Sequence, residues 1–201
     1  MEKKGRLEII AGCMFSGKTK MISQIISQEK KPKKCYCYKP DTDNRGGLNY
    51  ISTNYGENIL ARVLPFNAPE EIFRDKEIFT LQKNGTIIII DEVQFFSKTI
   101  VEVAQLLLKQ GLDVVAAGLD LDFRGEPFGF MPQLMAAADK ITKLTATCTV
   151  CGEKANRTQR IINGEPAHYN DPLILIGGSN KYEARCIKHH IVPGKPEIIV
   201  F

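Results

Sequence analysis

Residues 7–19 read Leu-Glu-Ile-Ile-Ala-Gly-Cys-Met-Phe-Ser-Gly-Lys-Thr, and their order decides the fold. Leu7 to Ala11 is a short β-prone run. Gly12, Cys13, Met14, Phe15, Ser16, Gly17, Lys18 and Thr19 then fit G-x-x-x-x-G-K-[ST] between that strand and a helical pattern. The glycines let the backbone wrap an anion, and the start of the helix offers it unpaired N–H groups. Lys18 adds positive charge against terminal phosphates, and the Thr19 hydroxyl is a magnesium ligand. A nucleotide-phosphate loop is the expectation.

Outward from this loop the pattern alternates. Lys20 to Glu29 places Met21, Ile22, Ile25 and Ile26 on one helical face. Lys34–Lys39, Thr86–Ile90, Leu112–Gly118 and Ile141–Ala146 read as strands, and Thr99–Gln110 as a helix stopped by Gly111. TIIII and LDVVAAG are apolar on both faces, as parallel strands between two helical layers are. The fold class is α/β, an open parallel P-loop sheet over residues 1–145. After Thr147 turn pairs and spaced cysteines replace the helical periodicity. A small C-terminal zinc-ribbon unit is expected over 146–190, followed by a tail over 191–201, either a surface strand or docked on a neighbour.

The chain has 201 residues, 43% hydrophobic and 25% charged, enough for a real core without disulfides and unlike a disordered chain. Its apolar runs are far short of the roughly 18 residues of a membrane span, and Glu8 and Lys18 interrupt any secretory pattern. A cytoplasmic protein without membrane contact is expected. The net charge of +4 and pI near 8.7 are too mild for a dedicated nucleic-acid binder.

Two further constellations carry chemistry. Asp91 ends the TIIII strand, where a P-loop protein places its second magnesium-side acid, and Glu92 follows it. A carboxylate there can take a proton from a hydroxyl acceptor or from water; the pair alone does not choose. Cys148-x-x-Cys151 and Cys186-x-x-His189 are two chelating pairs that together make a closed Cys3His tetrahedron for a structural Zn2+. His190 is a rival fourth ligand. Cys13, Cys35 and Cys37 lack matching partners and read as core, and Phe95 and Phe96 as core or pocket wall.

GCMFSGKT, KPDTDNR, DEVQFF, LDLDFRGEPFG, KLTATCTVC and LIGGSNKYEARCIKHH, in this order from Arg6 to about His190, resemble the type II (cytosolic-type) thymidine kinase family. The resemblance implies transfer of the ATP γ-phosphoryl group to the 5′-hydroxyl of thymidine, with Mg2+. It also implies a homotetramer and feedback inhibition by dTTP. It puts the catalytic base at Glu92, magnesium at Thr19 and Asp91, and ATP or phosphate contacts at Asp43, Arg45, Asp91 and Gln94 as well as the loop. Phe123 would stack on thymine and Phe128 line its pocket, with Met14 and Thr158 around the methyl group. Backbone groups of Leu173, Ile174, Leu175, Ile176 and Gly177, in a lasso between the zinc knuckles, would read the pyrimidine edge, with Tyr182 alongside. Arg124 is a weaker phosphate candidate. The family often has four cysteines where this chain has His189. Two other readings are a kinase for another deoxynucleoside and a zinc-ribbon ATPase stimulated by nucleic acid.

Overall fold

The computed structural model describes residues 4–28, 34–43, 47, 49–52, 58–80, 85–174 and 181–197. In chain order the elements begin with β1 (Leu7–Gly12), α1 (Lys18–Gln28), β2 (Cys35–Pro40), β3 (Tyr50–Ser52), β4 (Asn58–Leu60) and β5 (Arg62–Leu64). A 3-10 turn at Pro69–Arg74 leads to α2 (Lys76–Thr80) and β6 (Ile87–Ile90). A second 3-10 turn, Val93–Phe95, precedes α3 (Thr99–Lys109), β7 (Asp113–Gly118), α4 (Met131–Ala137) and β8 (Lys140–Leu144). Five short strands complete the chain: β9 (Ala146–Thr147), β10 (Lys154–Ala155), β11 (Arg157–Ile162), β12 (Glu165–Pro166) and β13 (Lys181–Arg185).

The main sheet has six strands in the order β5-β2-β6-β7-β1-β8, all parallel. The isoleucine run explains its middle. Ile88 and Ile90 face one core with α3 and α4, whereas Ile87 and Ile89 face the other with Ile22 and Met21 of α1. Two-sided burial of this kind requires a covered central strand. On α3, Ile100, Val103, Ala104 and Leu107 are buried at helical spacing. Gly111, at φ +81°, lets the chain leave the helix while Gly111 N–H donates to the Leu108 carbonyl.

The C-terminal unit is built from the β10-β9 hairpin and a three-stranded sheet, β12-β11-β13. The main sheet's last strand ends at Leu144, and the hairpin begins at Ala146. The described part of the tail bonds to this unit. Gln159 exchanges two 2.8 Å hydrogen bonds with the backbone of Ile191, and Tyr169 N–H donates to the Pro193 carbonyl at 2.8 Å. Residues 191–193 therefore pack on their own chain. Among the described residues no helix is long and apolar enough to cross a membrane.

Candidate active site and metal centre

Parallel strands bring their C-terminal ends to one edge, where open α/β sheets bind ligands. β1 delivers the phosphate loop there, β6 delivers Asp91 and Glu92, and β7 leads into residues 119–128. Gly12 is held against β8: a Cβ on it would lie 2.6 Å from the Leu144 carbonyl oxygen and 2.8 Å from Ser16 Oγ. No larger residue fits without moving backbone. Phe15 (φ +65°) and Gly17 (φ +91°) turn the chain through the left-handed region and leave the Phe15 ring exposed. Lys18 folds back so that Nζ donates to the carbonyls of Gly12 (2.9 Å) and Cys13 (3.0 Å). Ser16 Oγ is buried with no hydrogen-bond partner among the described residues. A hydroxyl stranded inside a ring of backbone donors and an ammonium suits an anionic ligand. Thr19 beside the loop and the buried Asp91 are hard oxygen donors of the type Mg2+ takes.

Asp91 and Glu92 are 3% and 8% exposed. Glu92 adopts φ +50°, ψ +39°, a conformation costly for a residue with a side chain. Its N–H donates to Asp91 Oδ1 at 2.9 Å, and its Oε2 accepts from Gln94 Nε2 at 2.5 Å. Gln94, expected among the phosphate contacts, is 2% exposed and uses its other amide atom internally as well, since Oε1 accepts from Leu119 N–H at 3.0 Å. Both ends of the amide are thus engaged inside the protein. Asp43 is buried on the loop after β2, 3.9 Å from Lys39 Nζ. Arg45 lies outside the described residues.

The segment after β7 is a tight hairpin. Asp122 Oδ1 accepts the N–H groups of Arg124 (2.8 Å) and Glu126 (3.0 Å), and Leu121 bridges Pro127. Phe123 and Phe128 are buried, and Phe128 meets Phe95 edge-on at 5.5 Å. Phe95 is therefore a wall for Phe128. Arg124, which the sequence allowed as a phosphate contact, instead donates to the Asp171 carbonyl at 2.9 Å and lies over the rings of Phe123 and Tyr169.

Arg160 was not singled out from the sequence. It is 2% exposed, with its guanidinium 3.7 Å from the Phe123 ring centroid. Nη1 donates to the Pro172 carbonyl at 2.6 Å, and Nη2 to that of Leu173. Burial pulls its pKa below the ordinary arginine value, opposed by Tyr182 and Asp171. Phe123 thus carries the guanidinium groups of both Arg160 and Arg124 over its ring, and the Leu173 carbonyl has one donor. Ile174 is exposed; Leu175, Ile176 and Gly177 lie outside the described residues. Tyr182 pairs with Arg160 across β13 and β11. RTQRII carries two arginines, and an alternation rule on so short a strand has no means of telling the buried Arg160 from the half-buried Arg157.

The metal ligands converge. One ligand atom from each of Cys148, Cys151, Cys186 and His189 lies within 4.8 Å of the others. Cys151 Sγ and Cys186 Sγ are 3.8 Å apart, and Cys148 Sγ is 3.9 Å from His189 Nδ1. Tetrahedral zinc with Zn–S near 2.3 Å requires about 3.8 Å between sulfurs, so the donor set fits. Burial raises the Cys148 thiol, but backbone groups of Cys186, Cys151 and Val150 outweigh it and bring it down to about 6. His190 turns the other way and its Nε2 donates to the Phe123 carbonyl at 2.9 Å. Its burial lowers its pKa, keeping the ring neutral.

The loop and this unit touch. Met14 N–H donates to Thr158 Oγ1 at 3.0 Å, so two residues expected near the same methyl group are joined to each other. The Cys13 thiol donates to the Ala155 carbonyl at 3.4 Å and packs with Cys148, Cys186, Ala155 and Ala184. Cys13 and Cys37 are buried and Cys35 half-buried, and burial pushes the Cys37 thiol up to about 12.

A thymidine kinase family model matches residues 5–190. A thymidine kinase of Coprothermobacter proteolyticus is 47% identical over 192 residues, 95% of this chain and 93% of that protein. Among solved structures, the genome packaging NTPase of Sulfolobus turreted icosahedral virus 2 aligns with 70% of this chain and 74% of its own, at 15% identity and TM-score 0.47. The N-terminal domain of zonular occludens toxin from Neisseria meningitidis aligns with 76% and 82%, at 17% identity and TM-score 0.42. Resemblance at those scores has no bearing on activity.

Proposed function

The chain belongs to the thymidine kinase family, and we infer that the site above moves the γ-phosphoryl group of ATP to the 5′-hydroxyl of thymidine. The observation that best supports this reading is Glu92, a buried carboxylate held by Gln94 at the same sheet edge as the phosphate loop. A sugar hydroxyl is a weak nucleophile at neutral pH, and Glu92 takes its proton as the new P–O bond forms. The loop N–H groups and Lys18 stabilise charge on the transferring group. Thr19 and Asp91 would hold Mg2+ with ATP, which would supply charge neutralisation at the phosphates. Phe128, Phe95 and Phe123 supply an apolar wall for the base. Tyr182 and the backbone from Ile174 to Gly177 complete the pocket and exclude water, which limits ATP hydrolysis. Zn2+ in the Cys3His site is structural, because four protein ligands leave no open position.

The units proposed are a kinase body over 1–145 and a metal unit from 146 that includes the tail through 197. The proposal also includes cytoplasmic location, a homotetramer and feedback by dTTP. A sedimentation mass of one 22.5 kDa chain, or activity indifferent to dTTP, would remove the last two.

The direct test is transfer of labelled γ-phosphate from Mg·ATP to thymidine by the native chain and by Glu92→Gln. Thymidine-dependent transfer should fall roughly 10²–10⁴-fold in the variant with thymidine affinity kept. Preference for deoxycytidine would change the substrate, and DNA- or RNA-stimulated phosphate release with no transfer would overturn the kinase reading.

A further inference from the structure

Gln94 is better placed to control the base than to bind ATP. Glu92 sits in a left-handed backbone conformation of the kind that clusters at active sites. Its Oε2 accepts the Gln94 Nε2 hydrogen bond at 2.5 Å, and a donor to a carboxylate makes one of the stronger hydrogen bonds in a protein. The amide cannot turn over, since Oε1 is fixed by Leu119 N–H at 3.0 Å. Two glycines make room for it. A Cβ on Gly118 would come 2.3 Å from Gln94 Oε1, and one on Gly129 would come 2.2 Å from the Gln94 carbonyl oxygen. Gly129, at φ +53°, also closes the hairpin that carries Phe123 and Phe128. The amide thus spans two bodies, with the proton acceptor at one end and the root of the aromatic hairpin at the other.

We propose that Gln94 is a positioning residue which aims the Glu92 carboxylate at the attacking hydroxyl and ties that aim to the 119–129 hairpin. The inference rests on Glu92 being the base. Its test is a double-mutant cycle read in kcat, KM and thermal midpoint. Gln94→Glu keeps an acceptor for Leu119 N–H but replaces the donor facing Glu92 with a like charge. Gln94→Met removes both bonds at similar size and guards against an effect peculiar to the added charge. Each should cut kcat about ten- to a hundredfold, the loss typical of a hydrogen bond to a charged group. KM for ATP and for thymidine should stay within about twofold. In a Glu92→Gln background neither should reduce the residual rate further, because there is no carboxylate left to aim.

An equal loss in both backgrounds would make Gln94 merely structural and overturn the proposal. A raised KM for ATP with kcat unchanged would return it to the phosphate contacts. If Glu92→Gln alone runs at a near-normal rate, the base assignment fails first and the positioning role falls with it, a result distinct from the other two.

Discussion

Arg160 illustrates what a single residue contributes here. Its guanidinium is buried and lies over the Phe123 ring while bonding the carbonyls of Pro172 and Leu173, so one side chain sets the aromatic hairpin against the chain at 172–173. Lysine keeps the charge but loses the planar fork and its stacking. Arg160→Lys should raise KM for thymidine about tenfold or more, as loss of one to two hydrogen bonds would. KM for ATP should change far less, and equal rises would instead indicate a general loss of structure. The residues legible beforehand are those whose chemistry fixes a spacing: the phosphate loop, Asp91 and the four metal ligands. Arg160 and the internal role of Gln94 were not legible. Arg160 depends on Phe123 and Gln94 on Leu119 N–H, contacts across the fold that no local pattern encodes.

At the level of elements, strands covered on both faces were plain in the sequence. TIIII became β6, flanked by β2 and β7, and LDVVAAG became β7, flanked by β6 and β1. What escaped was short. β5 has three residues and owes its strand conformation to pairing with Tyr38, Lys39 and Pro40. The β3–β4 hairpin pairs three residues with three, and α4 is seven residues with Pro132 near its start. Periodicity needs about two turns or four strand residues before it rises above chance. The edge strand also carries a polar cluster in place of an apolar signal. Arg62 pairs with Asp75 and Glu77 and lies over Tyr36, while Tyr38 Oη donates to Asp75. The glycine stop of α3, by contrast, was explicit in a single residue, Gly111.

For the whole molecule, metal binding should contribute on the order of 10 kcal/mol to ordering the C-terminal unit. Stripping the metal, or Cys151→Ser, should therefore weaken thymidine binding strongly. Calorimetric titration should also find ATP bound less tightly, because Cys13 and Met14 of the phosphate loop lean on Ala155, Cys148 and Thr158. Unchanged ATP affinity would show that this contact transmits nothing. The packing of Cys13 beside two of the metal's own thiols has a converse that belongs to thermodynamics rather than to geometry. Whatever factor the metal adds to nucleotide affinity, the nucleotide must add to metal affinity. A cell short of zinc would then lose the metal first from enzyme idle for want of nucleotide, and working copies would hold it longest.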